Sequence, residues 1–232
     1  MTIKLITFDL DNTLWHTDPV IIRAEEIQWQ RAKELCPSFD HFFTPASLQS
    51  LKLKTIQQHP KLRHKLSQLR LEFLYQVFIS CGMTKPQALL FAEQTFSVFL
   101  QARNQVVFFP QALELLQTLQ IDYQVIALSN GNADLKAIGI DHLFNAHFHA
   151  ENVANPKPHS DMFSAALDFS GVKPDESIHI GDHAEQDVFA AQTLGFKTVW
   201  ANILGQKWPQ TFNPADHEIE QLEQLINILS QY

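Results

Sequence analysis

The stretch Ile3 to Phe8 is apolar nearly throughout, yet no second strand signal appears until Gln124. An apolar run of that length is what a strand buried on both faces requires. Such a strand needs a neighbour on each side, so distant parts of the chain must supply them. Four further strand signals follow: Gln124 to Leu128, Ala146 to His149, Ser177 to Ile180 and Lys197 to Trp200. Helical patterns separate them. Pro110 to Leu119 carries Ala112, Leu115, Leu116 and Leu119 on one stripe, and Met162 to Phe169 and Glu185 to Leu194 behave alike. Strands alternating with helices imply right-handed crossovers and a parallel sheet.

Residues 18 to 105 read differently, with helical periodicity and no strand. Leu62, Leu66, Leu69, Phe73 and Val77 step by three and four, as do Ala88, Ala92, Thr95 and Phe99. Gly82 suits the end of one helix, and Thr84 with Pro86 the start of the next. The expected division is therefore a sheet-bearing core of residues 1–16 and 107–232, with a helical unit of residues 17–106 inserted after the first strand.

Composition narrows the function. The formal net charge is −8, and only Lys61 to Lys65 (KLRHK) forms a dense basic patch, which a solvated helix face explains. No basic face for nucleic acid is expected. Cys36 and Cys81 are not in a metal-binding spacing and read as buried free thiols. The N-terminus lacks a basic leader, and no apolar run is long enough to span a bilayer, so neither a membrane nor a nucleic acid is an expected partner and a cytoplasmic location is expected.

The first strand runs into Asp9-Leu10-Asp11-Asn12-Thr13. Residues i and i+2 of a strand point the same way, so Asp9 and Asp11 are expected to project together at the carboxyl edge, where open parallel sheets bind ligands. Two carboxylates about 4 Å apart repel by about 4 kcal/mol at an effective dielectric near 20. A proton or a cation must relieve that repulsion. Asp182 stands at the end of another strand signal, and Asp187 follows five residues later. Acids converging from several strand ends suit a hard cation held by oxygen, with magnesium the expected one.

The remaining strand ends offer the complement. Ser129-Asn130-Gly131-Asn132 supplies a hydroxyl, an amide and loop N–H groups suited to an anion. Lys157 sits between Pro156 and Pro158, which stiffen its backbone. A carboxylate nucleophile, a metal, a lysine and a second acid together describe phosphoryl transfer through a covalent intermediate.

The motifs FDLDNT, LSNG, the lysine of NPKP and GDHAEQD, in that order, resemble the four motifs of the haloacid dehalogenase superfamily of phosphohydrolases, and the resemblance spans the chain. It implies an α/β fold with a Rossmann-like parallel sheet flanked by helices and an inserted all-helical cap. It also implies roles. Asp9 is the nucleophile that becomes an aspartyl phosphate, and Asp11 is the general acid, then the base. Thr13 orients the loop. Ser129 and Asn130 hold the phosphoryl group, and Lys157 neutralises it and ties down Asp9. Asp9, the Asp11 carbonyl and Asp182 ligate magnesium, with Asp187 in support. The family often has Asn where Gln186 stands, and little effect is expected because the carboxylates remain.

The implied function is a magnesium-dependent phosphatase acting on a small phosphorylated metabolite. Pro19 to Arg23, Ser129 to Ala133 and Lys157 to Met162 also resemble bacterial flavin-pathway phosphatases acting on 5-amino-6-(5-phospho-D-ribitylamino)uracil and flavin mononucleotide. Dehalogenase relatives do not need the second acid or the metal, both of which this chain provides for. Phosphonatase relatives use a cap lysine, for which Lys33, Lys52, Lys54, Lys61 and Lys65 are available. A receiver-type switch shares the acids, Ser or Thr and Lys, but is far shorter and carries its acceptor Asp on a later strand. A phosphate-binding relative without turnover would not need Asp11. Substrate choice is expected from the cap, and Trp15, Arg23, Trp29 and His64 could face substrate, although packing or exposure is the commoner fate of such residues.

Overall fold

In the computed structural model, which describes residues 2–232, the first strand lies in the middle of a six-stranded sheet. The strands are β1 (Leu5–Phe8), β2 (Gln124–Ser129), β3 (Ala146–His149), β4 (Ser177–Gly181), β5 (Lys197–Ala201) and β6 (His217–Ile219). Their order is β3-β2-β1-β4-β5-β6, and every pairing is parallel. β1 is therefore flanked by β2 and β4, the point at which the strand order reverses and a crevice opens at the carboxyl ends.

The apolar run is explained by burial on both faces. Ile6 and Phe8 pack with Leu115, Leu116, Leu119 and Ile180 on one side, while Leu5 packs with Leu128, Met162, Phe163 and Ala166 on the other. Ile180 and Leu128 belong to the neighbouring strands β4 and β2, and the other partners come from the helices Ala112–Asp122 and Asp161–Ser170. β6 was absent from the sequence reading. It is three residues long with two of them polar, and it exists as a strand because β5 offers it a ladder.

The expected helix from Glu185 to Leu194 is instead a π turn, Ala184–Phe189, followed by a short α-helix, Ala190–Thr193. The reason is local. The His183 carbonyl accepts from both Asp187 and Val188, and Asp187 Oδ2 accepts from the His183 N–H at 2.9 Å. That wider turn sends Asp187 back toward the strand ends, and π turns are common at functional sites.

The chain divides into two compact units, Met1–Thr17 with Val106–Tyr232, and Asp18–Gln105. The second unit is helical. It comprises Thr17–Leu35, which starts one residue before the unit, then Phe39–Phe42, Pro45–Gln58, Leu66–Ser80 and Lys85–Arg103. Thr84 caps the last of these in a capping box with Gln87, whose Oε1 accepts from the Thr84 N–H. The basic stretch Lys61 to Lys65 is not a helix face. Pro60 starts a 3-10 turn, Pro60–Leu62, and the rest of the stretch is the turn before Leu66. Cys36 is buried and Cys81 half-buried, both are free, and burial followed by contact with Cys36 pushes the Cys81 thiol up to about 12. Among the described residues no helix is long and apolar enough to cross a membrane.

Candidate active site

Asp9 is the first residue beyond β1, and its N–H donates to the Ile180 carbonyl of β4 at 2.8 Å. The segment that follows is a tight turn, not a continued strand. Asn12 adopts φ +61°, a conformation Asn tolerates better than most residues, and its Oδ1 accepts from the Thr17 N–H. The strand therefore ends before Asp11, and strand alternation no longer governs its direction. Asp11 Oδ1 accepts from Trp15 Nε1 at 2.9 Å and from Thr17 Oγ1 at 2.7 Å. Thr13 is fully buried, with its hydroxyl 3.4 Å from Asp9 Oδ2.

The acids that meet are Asp9, Asp182 and Asp187. One carboxylate oxygen from each lies within 4.8 Å of the others, the one such trio among the described residues. Lys157 Nζ donates to Asp9 Oδ1 at 2.7 Å and to Asp187 Oδ1 at 2.5 Å, with all three side chains nearly sealed from solvent. Burial raises the Asp9 carboxyl to about 7 against the pull of Lys157, with Asp187 a stronger source of repulsion than Asp11. Burial, then Asp9 and Asp187, push Asp182 up to about 8. Burial alone would raise Asp187 too, but Lys157 and His179 outweigh it and hold the carboxyl well below its usual range. Burial opposes the Lys157 charge, but Asp187 and Asp9 prevail and raise it.

One ammonium thus faces three carboxylates, and burial, with the excess negative charge second, raises Asp9 and Asp182. A hard divalent cation fits this donor set, because it takes carboxylate oxygens and removes that excess. Asp187 supports from behind. Its Oδ1 accepts from Lys157 and His179, and its Oδ2 from the His183 N–H.

Ser129 ends β2 fully buried, and its Oγ accepts from the Gly131 N–H at 2.9 Å. The Asn130 side chain is engaged with protein. Its Nδ2 donates to the Lys157 carbonyl at 2.7 Å and to Gln186 Oε1 at 2.8 Å, and its Oδ1 accepts from the Lys157 N–H at 2.9 Å. Both amide hydrogens have partners, so in this conformation the side-chain amide is not the anion donor that the sequence leads one to expect.

The sequence sets His159, His179 and His183 near these strand ends without giving any of them a role. His179 bridges Thr7 and Asp187, with Nδ1 2.8 Å from Thr7 Oγ1 and Nε2 3.2 Å from Asp187 Oδ1. An ionised Asp187 only accepts, which suits a proton on the His179 Nε2 that faces it. A signal existed: Thr7 and His179 are polar residues inside buried strands, and they are register partners. Trp200 Nε1 donates to the Asp182 carbonyl at 2.8 Å. His183 is a cap, its Nδ1 accepting from the Glu185 and Gln186 N–H groups, and His159 is exposed.

The residues considered for substrate contact have other duties. Trp15 is fully buried against Phe108, and Trp29 packs on Phe39 and Phe73. Arg23 donates to the Ala102 and Gln105 carbonyls, and His64 is exposed. Lys33, Lys52, Lys54 and Lys61 are exposed and Lys65 half-exposed, so none has the burial that depresses a lysine for imine chemistry.

The model of the haloacid dehalogenase-like hydrolases matches residues 3–195. The 5-amino-6-(5-phospho-D-ribitylamino)uracil phosphatase YigB of Escherichia coli is 27% identical over 231 residues, covering 98% of this chain and 96% of that one. A ribulose-1,5-bisphosphate 5-phosphatase of Halopiger xanaduensis is 26% identical over 246 residues, covering 97% and 98%. Among solved structures, a 2-haloacid dehalogenase from Pseudomonas syringae pv. Tomato DC3000 superposes with a TM-score of 0.93 at 32% identity, covering 99% of both chains.

Proposed function

Because the chain belongs to the haloacid dehalogenase-like hydrolases, we propose that it is a magnesium-dependent phosphatase acting on small phosphate monoesters through an aspartyl-phosphate intermediate. The observation that carries this reading is the meeting of Asp9, Asp182 and Asp187 within 4.8 Å, with Lys157 bonded to Asp9.

Asp9 attacks phosphorus as the bond to the alcohol oxygen breaks, giving an acyl phosphate. Asp11 supplies the proton that the leaving oxygen takes up. Asp11 then draws a proton from water as the water oxygen attacks phosphorus, releasing Asp9 and inorganic phosphate. The Ser129 hydroxyl and Lys157 hold phosphoryl oxygens, and Thr13 orients the Asp9 loop. Magnesium, held by Asp9, Asp182 and the Asp11 carbonyl, would offset the charge on the phosphoryl group.

The E. coli relative's substrate makes flavin-pathway esters the first substrates to test. A second reading, carbon–halogen cleavage by Asp9, has support from the dehalogenase superposition. Asp11 and Asp182 weigh against it, since that reaction has no alkoxide to protonate and no phosphoryl charge to offset. The test is release of inorganic phosphate from p-nitrophenyl phosphate with magnesium, then from 5-amino-6-(5-phospho-D-ribitylamino)uracil and flavin mononucleotide, beside chloride release from 2-chloropropionate. Phosphate release that EDTA abolishes is expected. Chloride release alone would give the site to dehalogenation, and equal rates on unrelated esters would remove the flavin-pathway preference.

A further inference from the structure

Asn130 grips both main-chain polar groups of Lys157. The Lys157 N–H donates to Asn130 Oδ1, and the Lys157 carbonyl accepts from Asn130 Nδ2. One side-chain amide can do this only in one orientation, since a flip would set oxygen against carbonyl oxygen. The other Nδ2 hydrogen reports which orientation is held, and it goes to Gln186 Oε1 at 2.8 Å. Gln186 lies in the π turn one residue before Asp187, whose Oδ1 meets the far end of the same lysine. The end of β2, the segment after β3 and the turn after β4 are thereby joined at Lys157.

We propose that Gln186 and Asn130 form a positioning clasp that sets the Lys157 main chain and, through it, the placement of Nζ against Asp9. A side chain one methylene shorter would not span the same gap to Asn130 without movement of the turn. The kinetic part of this inference rests on the phosphatase reading, and the structural part does not. Gln186 is half-exposed, so it can be changed without opening the core.

Two variants test it. Gln186→Leu keeps the volume and removes the acceptor, while Gln186→Glu returns an acceptor oxygen. With p-nitrophenyl phosphate, Gln186→Leu is expected to lower kcat by about tenfold with KM changed less than about twofold. Hydrogen exchange at the Lys157 amide, followed by NMR, should speed up by about tenfold in the same variant. Gln186→Glu should restore both. An unchanged kcat in the leucine variant overturns the proposal, as does a lower melting temperature with kcat intact, or a glutamate variant that rescues neither readout. If the wild type releases no phosphate from any ester, the phosphatase reading falls and the exchange comparison alone decides the clasp. Faster Lys157 exchange in the leucine variant alone then supports it, and equal exchange ends it.

Discussion

Lys157 Nζ stands 2.7 Å from Asp9 Oδ1 across 148 residues of chain. Both groups are buried, and Lys157 also bonds Asp187. Removing one member of a buried ionic group leaves charge with neither solvent nor partner. Lys157→Met is therefore expected to lose about 3–5 kcal/mol of stability at about pH 8, read from urea denaturation without metal. The loss should shrink at about pH 5, where the deserted carboxyls take up protons. A variant as stable as the wild type at the higher pH would contradict the burial argument.

Asp9→Asn removes the attacking oxygen while keeping the shape. The Lys157 ammonium retains Asp187, so the fold should persist, with circular dichroism unchanged. Phosphate release should fall by at least about a thousandfold. Retention of most of the rate would mean that another group attacks phosphorus.

Gly181 closes β4 directly beneath Asp187. A Cβ built on it would overlap the Asp187 carboxyl carbon and Cβ, well inside van der Waals contact. Neither Asp187, tied by three hydrogen bonds, nor the π turn has room to yield. Gly181→Ala should therefore cost about 1–3 kcal/mol in stability and cut kcat by about a hundredfold through displaced Asp187 and Lys157. An alanine variant with normal kcat would show that Asp187 can move without consequence.

The raised carboxyls make a statement about pH. Asp9 at about 7 and Asp182 at about 8 hold protons in the folded protein that the unfolded chain releases above its ordinary carboxyl value of 3.8. Their contribution to stability is full below that value and is lost as pH rises through the folded values. A cation competes with those protons. Millimolar magnesium should therefore raise the melting temperature more at about pH 8 than at about pH 6. Comparing the two shifts cancels the opposite trend of buried imidazoles such as His147, which burial lowers to about 4. Equal shifts at both pH values would place the magnesium elsewhere.

The amino-acid order alone determined that the apolar run containing Leu5–Phe8 is a strand buried on both faces, that residues 18 to 105 are helical, and that Asp9, Ser129 and Asp182 stand where strands end. Periodicity carries that information because burial on two faces demands an unbroken apolar run, and helices demand a stripe. Tertiary structure decided the rest. It ended the first strand before Asp11, brought Asp187 to the lysine through a π turn, committed the Asn130 amide to Lys157 and Gln186, and joined Thr7 to His179. Those outcomes depend on side-chain directions and distances of about 3 Å between residues far apart in the chain, and hydrophobic pattern contains no record of either.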